Sequence, residues 1–193
     1  MSSYNLKMII ASTRPNRKGP LIANWILNIS KEHKEFEVEV LDLKEINLPF
    51  LDELEHPMLG HYHNEHTKQW SRTIGGADAF VVITCEYNFG YPAPLKNAID
   101  FLYKEWNYKP IAIVSYGGVS AGTRSAQMLK QVFTGVKMMP LAESVNIPFF
   151  SRYINENEIF TGDEILEKSA HVMFNELAKW TKSFNEMRTQ YYT

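Results

Sequence analysis

Residues 12–21, STRPNRKGPL, gather two hydroxyls, two arginines, a lysine and a glycine within ten positions. An apolar run, 5–11, precedes them, and a helical pattern follows from Pro20. A loop between a strand and a helix presents successive backbone N–H groups and a helix N-terminus, which together attract an anion. Ser12 and Thr13 add hydroxyl donors, Arg14, Arg17 and Lys18 add charge, and an arginine can grip a phosphate through two parallel bonds. Gly19 allows close approach of the backbone, and Pro20 suits a first helical turn. The chemistry indicated is phosphate binding; a solvated basic turn is the plainer alternative. The loop lacks the Gly-Lys-Ser/Thr ending of nucleotide triphosphatases and the GxGxxG dinucleotide fingerprint. It also lacks the cysteine that phosphatase chemistry would need there.

Two further stretches carry unusual residues. Residues 85–92, CEYNFGYP, place a carboxylate, an amide and three aromatics (Glu86, Asn88, Tyr87, Phe89 and Tyr91) directly after the apolar run AFVVIT. Residues 115–122, SYGGVSAG, set three glycines around Tyr116, and the pair Gly117–Gly118 lets the main chain itself approach a ligand. Either stretch alone reads equally as a tight turn or a core cap. Taken together, the first loop offers phosphate donors and the other two offer aromatics and backbone groups. A ligand with a phosphate at one end and a flat polar ring at the other would span all three, and flavin mononucleotide (FMN) has that shape.

The elements that must hold these loops follow from hydrophobic periodicity. Short apolar runs at 5–11, 79–85 and 110–115 read as buried strands, and 36–43 alternates apolar with charged residues as an outer strand would. A fifth strand is expected within 137–145. Helical spacing recurs from Pro20 to Ile29, over 66–74, after Pro92 through Leu95, Ala98, Ile99 and Leu102, over 123–133, and over 163–187. Residues 44–64, with Pro49, Pro57 and Gly60, show no period and read as a long surface excursion of the kind that often lines a site. Strands alternating with helices predict an α/β fold, a flavodoxin-like three-layer sandwich with a five-stranded parallel sheet in the order 2-1-3-4-5. In that order the strand sequence reverses between strands 1 and 3, and the loops leaving strands 1, 3 and 4 are the three described above. No repeat, low-complexity segment or linker divides residues 1–193, so one domain is expected.

Composition narrows the function classes. The net charge of −2, with 20 basic and 22 acidic groups, gives no reason to expect a nucleic acid or an anionic membrane as partner. No run approaches the ~20 apolar residues of a membrane span, and the N-terminal stretch has no signal-peptide pattern. One cysteine, Cys85, excludes an internal disulfide and any multi-cysteine metal site, and suits a reducing, cytoplasmic location.

The three loops carry a family resemblance. Ala11-Ser12-Thr13-Arg14, Cys85-Glu86-Tyr87-Asn88, Pro92-Ala93-Pro94-Leu95-Lys96-Asn97-Ala98-Ile99-Asp100 and Ser115-Tyr116-Gly117-Gly118 resemble the motifs of the NADPH-dependent FMN reductases, a flavodoxin-like group that includes quinone, chromate and azo-dye reductases. The likeness covers residues 6–135; 44–64 and 146–193 match only loosely. Ala11 and Cys85 depart from the family's glycine and proline at positions that supply no side-chain contact. The resemblance implies that Ser12, Arg14 and the backbone from Arg17 to Leu21 (Arg17, Lys18, Gly19, Pro20, Leu21) hold the FMN phosphate. It implies that Glu86, Tyr87, Asn88 and Phe89 line the isoalloxazine and ribityl chain, and that Tyr116, Gly117 and Gly118 face the pyrimidine side. It further implies a ping-pong reaction from NADPH or NADH through bound FMN to a quinone or similar small-molecule electron acceptor, with no side-chain catalyst, in a homodimer or homotetramer. A flavin-binding redox sensor or a flavodoxin-type electron carrier is the alternative, although the carrier's Thr-x-Thr-Gly-x-Thr loop and strongly acidic surface are absent.

Two further features have quieter readings. His61, His63 and His66 are spaced like metal ligands, but no second ligand group accompanies them, so they read as surface histidines near the substrate mouth. Cys85, at the end of an apolar strand, reads as a small buried hydrophobe rather than a redox thiol.

Overall fold

The computed structural model describes residues 3–191, so Met1, Ser2, Tyr192 and Thr193 of the expected domain lie outside it. Five strands form one parallel sheet: β1 (Tyr4–Ile10), β2 (Phe36–Asp42), β3 (Ala79–Cys85), β4 (Pro110–Tyr116) and β5 (Met139–Ile147). Their order is β2-β1-β3-β4-β5, as the alternation of strands and helices predicts. Six helices connect or cover them: α1 (Gly19–Ser30), α2 (Leu43–Ile46), α3 (Glu65–Gly75), α4 (Ala93–Asp100), α5 (Thr123–Gly135) and α6 (Glu164–Tyr191).

The pleat divides the central strands between two cores. Val81 and Ile83 of β3 join Leu6, Met8 and Ile10 beneath α1 and α6, whereas Phe80 and Val82 join Ile9, Ile111 and Ile113 beneath α3, α4 and α5. Every residue of β3 and β4 is buried, which explains why those strands read as unbroken apolar runs.

Several boundaries differ from those expected, each for a local reason. The fifth strand starts at Met139 rather than 137, because Lys137 has φ of 57° and closes the turn after α5 by donating its N–H to Thr134 O. The strand carries Pro140, tolerated because β5 is an edge strand, and its register with β4 shifts between Ile111 and Ile113. The last helix runs to Tyr191, beyond the apolar period, because Arg188 in its final turn donates to Tyr108 O at 2.9 Å and to Asp78 Oδ1 at 3.0 Å. At its other end Asp163 Oδ1 accepts the N–H of Leu166 at 3.0 Å, a side-chain cap. The 44–64 excursion contains the end of α2, whose start Asp42 caps by accepting from Lys44 N–H, and a single 3₁₀ turn at Pro57–Leu59.

Candidate functional site

The loops after β1, β3 and β4 converge where the strand order reverses, at the carboxyl edge of the sheet. Between them lies a hollow of about 260 Å³, lined by Arg14, Asn16, Lys18, Glu86, Tyr87, Tyr116, Gly117, Gly118 and Phe150, among others. A second hollow, of about 540 Å³, adds Thr13, Asn88, Pro92 and Pro94. Both hollows share Arg14, Glu86 and Tyr87, so they form one trough running past the Tyr87 ring.

The first loop is shaped to receive an anion. Its entry is fixed by the Ala11 N–H donating to Ile83 O at 3.0 Å, and its waist by Arg17 N–H donating to Arg14 O at 3.3 Å. The N–H groups of Thr13, Arg14, Asn16, Lys18 and Gly19 have no protein acceptor among the described residues, and Asn16 takes a left-handed φ of 58°. Adjacent free donors around such a turn make an anion nest. Their side chains divide by role. Arg14 is exposed and enters no ion pair among the described residues. Arg17 instead bonds both carboxylate oxygens of Asp42, at the end of β2, and donates to Ser12 O at 2.8 Å. Asp42 holds the guanidinium firmly in its charged form. Lys18 reaches across to Glu158 at 2.6 Å. Ser12 is fully buried beneath the loop, Gly19 is buried where α1 starts, and Pro20 and Leu21 sit half-buried on the first turn of α1, none of the four lining the trough.

The middle loop is a two-residue hairpin. Tyr87 and Gly90 exchange both backbone hydrogen bonds at 2.9 Å, and the central residues Asn88 and Phe89 have φ of 50° and 71°. Two positive φ values in succession define a type I′ turn, which asparagine tolerates and phenylalanine rarely adopts. Such strain, of about 1–3 kcal/mol, persists where surroundings enforce it. Here the enforcement is visible. The Phe89 ring, two-thirds exposed, lies under the Arg124 guanidinium at 4.0 Å, and Arg124 donates to Glu86 Oε1 at 2.8 Å. Glu86 Oε2 also accepts from Ser120 Oγ and from the Arg124 N–H, both at 3.2 Å, so its carboxylate caps α5 and ties the middle loop to the third.

The third loop is held open by the segment after β5. Gly117 donates to Ile147 O at 3.2 Å, while the carbonyls of Gly118 and Gly117 accept from Phe149 and Phe150 at 3.0 and 3.3 Å. Gly122 has φ of 75°, and a Cβ there would stand 2.7 Å from Tyr116 O. Tyr116 itself is buried on the floor of the hollow. Its ring meets Phe150 edge-on at 5.3 Å, and its hydroxyl lies 3.3 Å from Ser12 Oγ. Burial pushes its ionisation well above the usual phenol range.

Two functional residues escape a motif-based reading. Phe150 follows β5, which β3 and β4 separate from the switch point, and only its position after an edge-strand end could have marked it. Arg124 stands second in α5, where an uncompensated cation is unfavourable, and that misfit is a signal in the sequence. The three histidines lie apart from the trough: His61 Nδ1 meets Glu55 and His66 Nε2 meets Asp52, both at 2.9 Å, and His63 donates its backbone N–H to Glu53 Oε2 at 2.8 Å. Among the described residues no group of three or more His, Cys, Asp or Glu is placed to hold a metal ion. Cys85 lines the hollow but is only 7 % exposed, and burial pushes its thiol up, away from the thiolate.

Known proteins share this arrangement of sequence and fold. A family model described as NADPH-dependent FMN reductase matches residues 5–152. An NAD(P)H-dependent FMN reductase of Schizosaccharomyces pombe is 43 % identical over 145 residues, covering 73 % of this chain and 72 % of the relative. An NADPH:quinone oxidoreductase of Arabidopsis thaliana is 44 % identical over 59 residues, covering 29 % of this chain and 30 % of its own. Among solved structures, the flavoenzyme NAD(P)H:(acceptor) oxidoreductase FerB of Paracoccus denitrificans superposes with a TM-score of 0.74 at 21 % identity, covering 94 % of this chain and 98 % of that one. No helix among the described residues is long and apolar enough to cross a membrane.

Proposed function

The chain belongs to the NADPH-dependent FMN reductase family, and we propose that it is one FMN-binding domain that takes hydride from NADPH or NADH and passes electrons to a quinone or similar small acceptor in ping-pong order. The chemistry that bound FMN supplies is two-electron transfer at an isoalloxazine ring. The observation that carries the reading is the first loop, where the N–H groups of Thr13, Arg14, Asn16 and Lys18, without acceptors among the described residues, and the Arg14 side chain line a trough long enough to continue past Tyr87. Residues present therefore fit a phosphate at one end and a planar polar ring at the other.

Each residue has a role in this reading. Arg14 and the N–H groups of Thr13, Arg14, Asn16 and Lys18 bind the phosphate. Ser12, Gly19 and Pro20 support that loop from below, Leu21 anchors it through α1, and Arg17 fixes its outer side against Asp42. Tyr87 and Asn88 line one wall of the ring site, with Phe89 next to them in the turn, while Tyr116, Gly117, Gly118 and Phe150 line the other. Backbone donors near a ring stabilise negative charge developing there without reorganising. Glu86 is committed to Ser120 and Arg124, so it shapes the wall rather than exchanging protons.

The 44–64 excursion leaves Phe50 and Leu54 almost fully exposed and Met58 and Leu59 half exposed, which supports burial against further copies of the chain, as a homodimer or homotetramer. A cytoplasmic setting accords with its single, buried, reduced cysteine. The test is titration with FMN followed by steady-state NADPH oxidation with a panel of quinones. Stoichiometric yellow protein and multiple turnovers are expected. A protein that binds no FMN overturns the reading, and one that binds it without turnover is a sensor or carrier.

A further inference from the structure

The Tyr116 side chain, at the end of β4, ends against the first loop. It is 4 % exposed on the floor of the hollow, and its hydroxyl meets a side chain of the first loop. That hydroxyl lies 3.3 Å from Ser12 Oγ, which is fully buried. This buried hydroxyl pair ties the first loop to the end of β4. Gly19 shows how tightly the pair is enclosed. A Cβ at that position would stand 2.9 Å from Ser12 Oγ and 3.1 Å from the Tyr116 hydroxyl. Glycine is required there because the helix start closes directly onto the hydroxyl pair, not for any left-handed backbone.

The geometry points to Tyr116 as a positioning residue of the phosphate loop, acting through its hydroxyl on Ser12. This inference rests on the FMN reading of the site. Physically, two side-chain tethers hold Ser12 itself. Arg17 bonds the Ser12 carbonyl from the β2 side, and Tyr116 bonds the Ser12 hydroxyl from the β4 side. Ser12 is the residue from which the run of free N–H groups begins, so its orientation sets where those donors point. Preorganised donors bind an anion without a further ordering cost, whereas a loosened loop must be ordered on binding.

The test exploits the one difference between FMN and riboflavin, the phosphate. Tyr116→Phe keeps the ring and its edge contact with Phe150 and removes only the hydroxyl. Loss of one neutral hydrogen bond at the phosphate end predicts that the FMN dissociation constant rises about three- to tenfold while that of riboflavin stays within about twofold. Gly19→Ala, which wedges a methyl between the two hydroxyls, is expected to give the same selective loss and serves if the first variant folds poorly. Equal weakening of both ligands, or no change in either, overturns the role for Tyr116. Wild-type protein that binds neither ligand overturns the FMN reading itself, a result distinct from any failure confined to the variants.

Discussion

Two arginines three positions apart do different work, and their charge does not tell them apart. Arg17 is paired with Asp42, whereas Arg14, in the lining of the hollow, has no ion-pair partner among the described residues. Arg14→Ala is expected to weaken FMN binding by about 1.5–3 kcal/mol, the loss typical of a hydrogen bond to a charged group, with little change in the unfolding midpoint. Arg17→Ala is expected to act in the opposite sense. Breaking a largely buried pair strands Asp42, so urea unfolding should show a loss of about 1–3 kcal/mol. Equal effects of the two variants on both assays would contradict this division. Hydroxyls, cations and a glycine between a strand and a helix made the loop stand out in the sequence as a candidate phosphate cradle. The sequence did not separate ligand from brace, because the partner of Arg17 lies on β2, 25 residues away. Tyr116 is the same case. Its type suggests a ring against a ring, and only the placement of Ser12 reveals the partner of its hydroxyl.

At the scale of elements, the order of strands followed from alternation, and the buried character of β3 and β4 followed from their composition. Boundaries drifted by up to four residues where tertiary contacts rather than periodicity decided them. Lys137 closed a turn that apolar spacing would have made a strand, and Arg188 extended a helix whose last turn is polar. The junction between β4 and α5 shows how strongly local geometry can bind. Gly122 combines a φ of 75° with a Cβ position 2.7 Å from Tyr116 O and 2.9 Å from Tyr116 N, both rigid backbone atoms. Gly122→Ala is therefore expected to cost about 2–4 kcal/mol of stability, from left-handed strain plus displacement of the β4 end. Thermal unfolding measures it, and a change below about 0.5 kcal/mol would mean that the loop relaxes freely. Glu86 was legible as a conspicuous carboxylate but not as a cap, because its partners Ser120 and Arg124 belong to the next connection.

Across the whole molecule, the two ends of the sheet carry different tasks. Opposite the trough, Lys109 is almost wholly buried and donates to Ile74 O and Gly75 O at 2.9 and 3.0 Å, closing the end of α3. Burial, aided by Arg188, pushes its pKa down to about 7, against the pull of Asp78 and Glu105. The unfolded chain keeps this proton up to about pH 10.5. Between the two values the unfolded state holds more protons, so this group makes stability rise with pH from about 7 toward 10.5. Below pH 7 both states are protonated and the contribution levels off at its lowest. Urea midpoints across this range should climb more steeply for the wild type than for Lys109→Met, and parallel profiles would show that the lysine stays charged when folded. At the functional end, the Glu86 carboxylate already occupies the start of α5, while the start of α1 presents free N–H groups and Arg14. The start of α5 is therefore closed to a second anion, while the start of α1 is left to draw one in. A charged, elongated guest has a single way round to lie, and that polarity is fixed before any guest arrives.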